Sequence, residues 1–267
     1  MTPTIIFAVE QGTAERVART GGQLAQDLGA LVVLVHVRED PPLFNSKPER
    51  ERARNRARRR GHEILQRAYD VLPSGVHVHH RVELGVAANQ LSEIASELEA
   101  ALIVVGTRGR GPLASALLGS VSQTLARKAP CPVMIVPARA SVGSPAPAAD
   151  GPGGRSTIIA GVDGSDHSSA AAGFARKLAD SLGDRLVIVP SHATPVPPTH
   201  ALQAVSARES ARLIVIGADH GDNLRYPLSG SVAGQLPRLA PCPVIVLPEG
   251  ATATLDAAGK TEARLAA

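Results

Sequence analysis

The chain has no tryptophan, and only two tyrosines and three phenylalanines among 267 residues. An aromatic platform on which successive bases of a single nucleic-acid strand stack is therefore excluded. Only two cysteines are present, Cys131 and Cys242, each between prolines. Two thiols in matching contexts make no disulfide framework and read instead as one structural site that occurs twice. No apolar run approaches the ~18 residues a membrane-spanning helix needs. Met-Thr-Pro-Thr runs directly into an apolar stretch, without the charged and then apolar regions of a secretory signal. These absences lead to the expectation of a soluble, cytoplasmic protein with no membrane partner.

Charge is nearly balanced, at a net +4, except in one place. Lys47, Arg50, Arg52, Arg54, Arg56, Arg58, Arg59 and Arg60 stand against only Glu49 and Glu51. Such a patch can attract phosphate backbones, but the expectation is a solvated outer face of a helix. Nucleic acid is not expected as a partner. With 44% apolar and 19% charged residues, the chain can bury a core and is not a disordered sequence. Its length suits about two domains of roughly 100–150 residues.

One pattern of turns appears twice. Residues 106–120 read Gly-Thr-Arg-Gly-Arg-Gly-Pro-Leu-Ala-Ser-Ala-Leu-Leu-Gly-Ser, and residues 217–231 read Gly-Ala-Asp-His-Gly-Asp-Asn-Leu-Arg-Tyr-Pro-Leu-Ser-Gly-Ser. Both lead to Ala-Pro-Cys-Pro-Val, at an offset of 111 (242 minus 131). The opening stretches Thr4–Glu10 and Thr157–Asp163 are offset by 153, so the second copy is short by 42 residues (153 minus 111). A repeat of this length means tandem domains, not a solenoid.

Within each copy, short β-branched apolar runs alternate with helical stretches. Ile5–Val9, Leu31–Val37 and Leu102–Val105 are nearly continuous, as strands buried on both faces should be, with Val76–Leu84 and Val133–Val136 as further strands. Helices are expected near 13–28, 49–71, 87–99 and 120–128. In the second copy, strands are expected at 157–163, 186–190, 213–217 and 244–247, and helices near 167–182, near 200–210 and from 230. This alternation predicts an α/β fold with open parallel sheets carrying helices on both faces. The counterparts of the second helix and third strand are missing from the second copy. The expected division is a domain over 1–138, a Pro/Gly/Ala/Ser-rich linker over 139–155, a truncated domain over 156–249 and a tail over 250–267 without a core-facing pattern.

Chemistry concentrates in Gly106-x2-Gly109-x9-Gly119-Ser120, between a buried strand and a helix. Gly106 ends its strand where only a residue without Cβ lets the backbone turn closely, Gly109 and Gly119 let main-chain N–H groups approach a ligand, and a helix N-terminus favours an anion. Ser120 and Ser122 add hydroxyls, and Arg108 and Arg110 flank the turn. Together these read as a phosphate cradle. The chain lacks Gly-x4-Gly-Lys-Ser/Thr and lacks Gly-x-Gly-x2-Gly after its first strand, which excludes a P-loop NTPase and a dinucleotide-binding domain. His77, His79 and His80 read as an exposed edge strand, not a metal site. Asp163, Ser165, Asp166, His167 and Ser168 read as helix capping, since no Gly-x-Ser-x-Gly elbow surrounds the serines.

Together, Val162-Asp163-Gly164-Ser165, His36-Val37, the Gly-x2-Gly-x9-Gly-Ser loop and Ala-Pro-Cys-Pro-Val resemble the universal stress protein family, twice over nearly the whole chain. The resemblance implies a Rossmann-like sheet in the order 3-2-1-4-5, pairing through the fifth strand, and ATP, with or without Mg²⁺, as the ligand of binding members. It places Val9, Glu10 and Val37 at the adenosine and Gly106, Gly109, Gly119 and Ser120 at the phosphates, with Arg108, Arg110, Val121 and Ser122 beside them as further candidate binding residues.

Both copies depart from the pattern. The first has Glu10 where the family has Asp. The second keeps Asp163 but has His220, Ala233, Gly234 and Pro237 where the first has Gly109, Ser122, Gln123 and Ala126. A side chain at 220 crowds the loop, and Gly234 and Pro237 weaken the helix behind it. The expectation is therefore an ATP-binding regulatory protein, not an enzyme, with its nucleotide in the first domain and a degenerate second domain. That second domain would pair with the first through the last strands of both, as an intramolecular pseudo-dimer. In 3-2-1-4-5 order the lost third strand is an edge, and Pro190 suits the new edge strand it exposes. A scaffold without nucleotide, a slow ATPase or a nucleotide-using enzyme, and association into a homodimer are left open.

Overall fold

The computed structural model describes residues 2–38, 47–107, 118–138, 155–191, 196–218, 231–253 and 255. In chain order the elements of the first half are β1 (Thr4–Ala8), α1 (Ala14–Asp27), β2 (Leu31–Arg38), α2 (Lys47–Tyr69), β3 (His77–Leu84), α3 (Ala87–Glu97), β4 (Leu102–Gly106), α4 (Ser120–Lys128) and β5 (Val133–Val136). The second half follows with β6 (Thr157–Val162), α5 (Asp166–Leu182), β7 (Arg185–Pro190), α6 (Pro198–Arg208), β8 (Leu213–Gly217), α7 (Val232–Leu239) and β9 (Val244–Leu247). All but residue 155 of the expected linker lies outside the described residues.

The strands form one sheet in the order β3-β2-β1-β4-β5-β9-β8-β6-β7. The first half therefore runs 3-2-1-4-5, as the resemblance implies, and every pairing within each half is parallel. Between the halves β5 and β9 pair antiparallel, with Met134 opposite Ile245, Val133 opposite Val246 and Ile135 opposite Val244. Met134 and Ile245 are themselves 111 apart in sequence, so equivalent residues of the two copies face each other at the centre of the seam. The β-branched runs supply side chains to both faces, as parallel strands between two helical layers must. Ile6, Val33, Val35 and Ile103 pack with α3 and α4, while Ile5, Phe7, Val32, Leu34 and Val104 pack with α1 and α2. Both layers continue unbroken into the second half, through α6 and α7 on one face and α5 on the other. Burying side chains such as Phe7 and Phe174 contributes about 1.5–3 kcal/mol each.

Local detail repeats too. α3 and α6 are followed by Glu99 and Ser210, again 111 apart, both with left-handed backbone (φ 49° and 47°). On the α1/α5 side Arg212 joins the halves, bonding Asp27 of α1 and, at 3.4 Å, Asp184. Only seven residues separate β7 from α6, which leaves β7 as the sheet edge with Ile188 44% exposed.

One expectation needs correction. The described start of the tail has a core-facing pattern: Ala251, Ala253 and Leu255 pack against the buried cluster, and Thr252 N–H donates to the Pro130 carbonyl at 2.9 Å. Alanines at alternate positions were too small a signal to read. α7 forms where a helix from 230 is expected, and despite Gly234 and Pro237: Ser231 caps it by accepting from Gly234 N–H at 3.2 Å, and Ala233 and Leu236 are buried. No helix among the described residues is long and apolar enough to cross a membrane.

Candidate functional site

In the first half β1 leads into α1 on one face and β4 leads towards α4 on the other. The ends of β1 and β4 are therefore a switch point, where open α/β sheets leave a crevice. A cavity of about 340 Å³ lies there. Ala8, Val9 and Glu10 at the end of β1 form its floor with Val35 and Val37 of β2, and Leu91 lines the α3 side. Gly106, Gly119, Val121 and Ser122 close the side towards α4. The structure thus gathers Val9, Glu10, Val37, Gly106, Gly119, Val121 and Ser122 around one space. Ser120 begins α4 beside it, exposed. Arg108, Gly109 and Arg110 lie outside the described residues.

Val9 is buried and its N–H donates to the Val35 carbonyl at 2.9 Å. Its carbonyl meets Nδ1 of His36 at 2.8 Å. A carbonyl only accepts, so Nδ1 carries a proton, and Nε2 is buried with no partner among the described residues. His36, 2% exposed, thus holds the end of β1 in place, a role hidden in a sequence that shows only its pairing with Val37. Gly12 then turns with φ 98°, a conformation glycine adopts without strain. The Glu10 carbonyl accepts from Thr13 N–H at 2.9 Å and Ala14 N–H at 3.0 Å, opening α1. The Glu10 carboxylate is exposed at the rim, with no hydrogen-bond partner among the described residues.

One of the gathered residues acts as expected and one does not. A Cβ on Gly106 would meet Thr13 Cβ at 3.0 Å and Val17 Cγ2 at 3.2 Å. That glycine therefore serves the close seating of α1 on β4. The Ser122 hydroxyl is buried and donates to the Gly106 carbonyl at 3.1 Å. A hydroxyl has one proton, so it is not a free donor to a phosphate. Gly119 is extended (φ −61°, ψ 149°), and α4 starts without a side-chain cap.

The second half presents a smaller space. About 120 Å³ lies between Val162, Asp163, Pro198, Leu202 and Val232, with Pro198 standing where the first half has Ala87. Asp163 accepts from Ser165 N–H at 2.9 Å and from Ser165 Oγ–H at 2.6 Å. The Ser165 hydroxyl bond, joined by its backbone N–H, holds the Asp163 carboxyl below its ordinary range. Ser165 Oγ in turn accepts from Ser168 N–H at 3.1 Å, capping α5. The acidic residue that matches the family is thus engaged by its own turn. His220 lies outside the described residues.

Among the described residues no group of His, Cys, Asp and Glu side chains is placed to hold a metal ion. His80 packs edge-on to Tyr69 at 5.5 Å, and burial, followed by the charges of His62 and His79, lowers its pKa. Cys131 and Cys242 are buried at equivalent positions, and burial pushes both thiols up to about 12.

A universal stress protein family model matches residues 1–137 and 187–248, well over half of the chain. The chain belongs to the universal stress protein family. A universal stress protein of Thermus aquaticus, described by its position in the QAH/OAS sulfhydrylase 3' region, is 36% identical over 138 residues, 51% of this chain and 99% of that protein. A universal stress protein of Mycolicibacterium smegmatis is 40% identical over 110 residues, 41% of this chain but 35% of its own length. A universal stress protein structure from Archaeoglobus fulgidus aligns over 92% of this chain and 98% of its own, with a TM-score of 0.69 at 15% identity. That likeness concerns the fold.

Proposed function

We propose that this universal stress protein is a regulatory module that binds ATP in its first half and not in its second. The observation that carries the reading is the contrast between the two equivalent crevices, about 340 Å³ against about 120 Å³. Small-molecule sites occupy roughly 300–1,000 Å³, so only the first has the capacity. Val37 and Val121 offer apolar walls to the base, and the free Glu10 carboxylate offers an acceptor to the ribose. The uncapped start of α4, with Gly119 and Ser120, faces the phosphates, where N–H groups and the helix dipole favour an anion. Arg108, Gly109 and Arg110 complete the set by sequence. Glu10 is the one ionisable side chain lining this cavity among the described residues. With no nucleophile and base side by side there among the described residues, the reading is a module that responds to its ligand rather than transforming it.

In this reading the antiparallel β5–β9 seam makes the chain a covalent counterpart of a dimer, with the second half as a fixed partner. A cytoplasmic setting, with ATP at hand, suits the role. Equilibrium dialysis against labelled ATP tests the proposal: one nucleotide per chain is expected, and no binding at millimolar ATP leaves a scaffold instead. Gly109→His, which copies the second-half residue, is expected to weaken binding at least tenfold.

A further inference from the structure

Residues 47–60 carry eight cations and two carboxylates, a net +6, while the whole chain is +4, so everything else sums to −2. α2 holds this run in its N-terminal half. Arg52, Arg56, Arg58, Arg59 and Arg60 are all exposed, and none has an ion pair or hydrogen bond among the described residues. The arrangement is unfavourable for an isolated helix. Cations in the N-terminal half oppose the helix dipole, and Arg52 with Arg56, like Arg56 with Arg60, are repelling neighbours four residues apart. Among the described residues no carboxylate pairs with these five arginines, which points to an anionic partner.

The shape of the patch narrows the partner. The apolar side of α2, Ala57, Gly61, Ile64, Leu65 and Ala68, is already buried. At Gly61 the helix lies so close to the sheet that a Cβ would meet Val82 Cγ1 at 2.8 Å and His36 Cδ2 at 3.1 Å. No apolar face remains to enter a bilayer, as a membrane-surface helix requires. At 3.6 residues per turn, Arg58, Arg59 and Arg60 fan over about 200° of the exposed surface. A flat anionic surface meets only the middle of that fan, whereas a groove edged by phosphates on both sides meets all of it. With its side chains a helix is about 10–12 Å across, close to the ~12 Å width of the major groove of B-form DNA, so a helix lying along that groove turns its fan to both phosphate edges. The major groove of A-form RNA is too deep and narrow for such an entry.

We propose that the arginine face of α2 binds the phosphate backbone of double-stranded DNA without regard to sequence. Its contacts go to phosphates, which carry no base information, so the scarcity of aromatics does not weigh against it. The test is fluorescence anisotropy of the full chain with a labelled 24-base-pair duplex of arbitrary sequence, across a salt series. Five phosphate contacts predict a slope of about −4.5 in log affinity against log salt, or about a 500-fold loss between 50 and 200 mM. Substituting Arg56→Gln, Arg59→Gln and Arg60→Gln together should reduce the slope to about −1.8. A control with Arg176→Gln and Lys177→Gln on α5 should leave it unchanged. Thermal melts confirm that each variant folds. No binding at 50 mM salt, an unchanged slope in the triple variant or an equal loss in the control overturns the proposal. So does tighter binding to phosphatidylserine vesicles or to inorganic polyphosphate than to the duplex.

Discussion

Gly217→Ala is expected to be far more damaging than Gly106→Ala, although the two glycines end equivalent strands. At Gly217 the new Cβ would lie 2.8 Å from both the carbonyl carbon and the oxygen of His167, and 3.1 Å from Ser168 N. These are backbone atoms in the first turn of α5, and they cannot rotate away. The helix must move by several tenths of an ångström, against the cap in which Ser165 bonds Asp163 and Ser168. Overpacking costs about 1–3 kcal/mol, and loss of the cap adds about 1 kcal/mol. A total of about 2–4 kcal/mol lowers the melting temperature by roughly 4–16 °C in a protein of this size. At Gly106 the obstacles are Thr13 Cβ at 3.0 Å, which moves only with the start of α1, and methyl groups of Thr13 and Val17 at 3.2 Å, so the overlap is smaller. Alanine also regains about 0.5–1 kcal/mol of backbone entropy in a strand, which offsets part of an overpacking cost at the low end of about 1–3 kcal/mol, so a drop of no more than about 4 °C is expected. Scanning calorimetry of the two variants decides the matter. A Gly217→Ala protein that melts with the wild type, or a Gly106→Ala protein that melts lower than Gly217→Ala, refutes the packing argument.

Three further outcomes follow from the same contacts. Arg212→Ala leaves Asp184, whose side chain is 6% exposed, without its cation. The expected cost is about 2–3 kcal/mol, below the usual 3–5 kcal/mol for a fully buried pair because Asp27 stays partly exposed. Burial already raises the Asp184 pKa above its ordinary value, so its ionised form is disfavoured in the folded state and acidification relieves it; urea midpoints should therefore show the variant's deficit shrinking from pH 7 to pH 5. Ser165→Ala should cost about 1 kcal/mol at pH 7 through the lost cap. The depressed Asp163 pKa gives stability that is present above the ordinary carboxylate value and lost as pH falls through the folded one, so this variant should lose less than the wild type between pH 5 and pH 3. Cys131 and Cys242, with thiols pushed up to about 12 by burial, should resist a disulfide reagent at pH 8 in the native protein, while both react in guanidinium; fast native labelling contradicts their placement.

The strands were legible because β-branched runs flanked by turn residues leave little alternative, and those read from sequence agree with the structure to within one or two residues. α2 was legible despite its weak apolar stripe, since Arg, Ala and Glu are strong helix formers. What escaped depended on contacts between distant segments. Ser122 reads as a ligand donor until its hydroxyl meets the Gly106 carbonyl. The grip of His36 on Val9 spans 27 residues and leaves no local signature. Pro237 was weighed by propensity alone, whereas the Ser231 cap and the burial of Leu236 outweigh it in α7.

The central claim, one nucleotide site and not two, is tested most directly by calorimetric titration of ATP into a matched pair of variants. Val121 and Val232 are equivalent residues, 111 apart, lining the first and second cavities. The wild type should bind one ATP per chain, Val121→Trp should abolish binding by filling the first cavity, and Val232→Trp should leave both stoichiometry and affinity intact. Two ATP molecules per chain, or a Val232→Trp protein that loses binding as Val121→Trp does, would contradict the account.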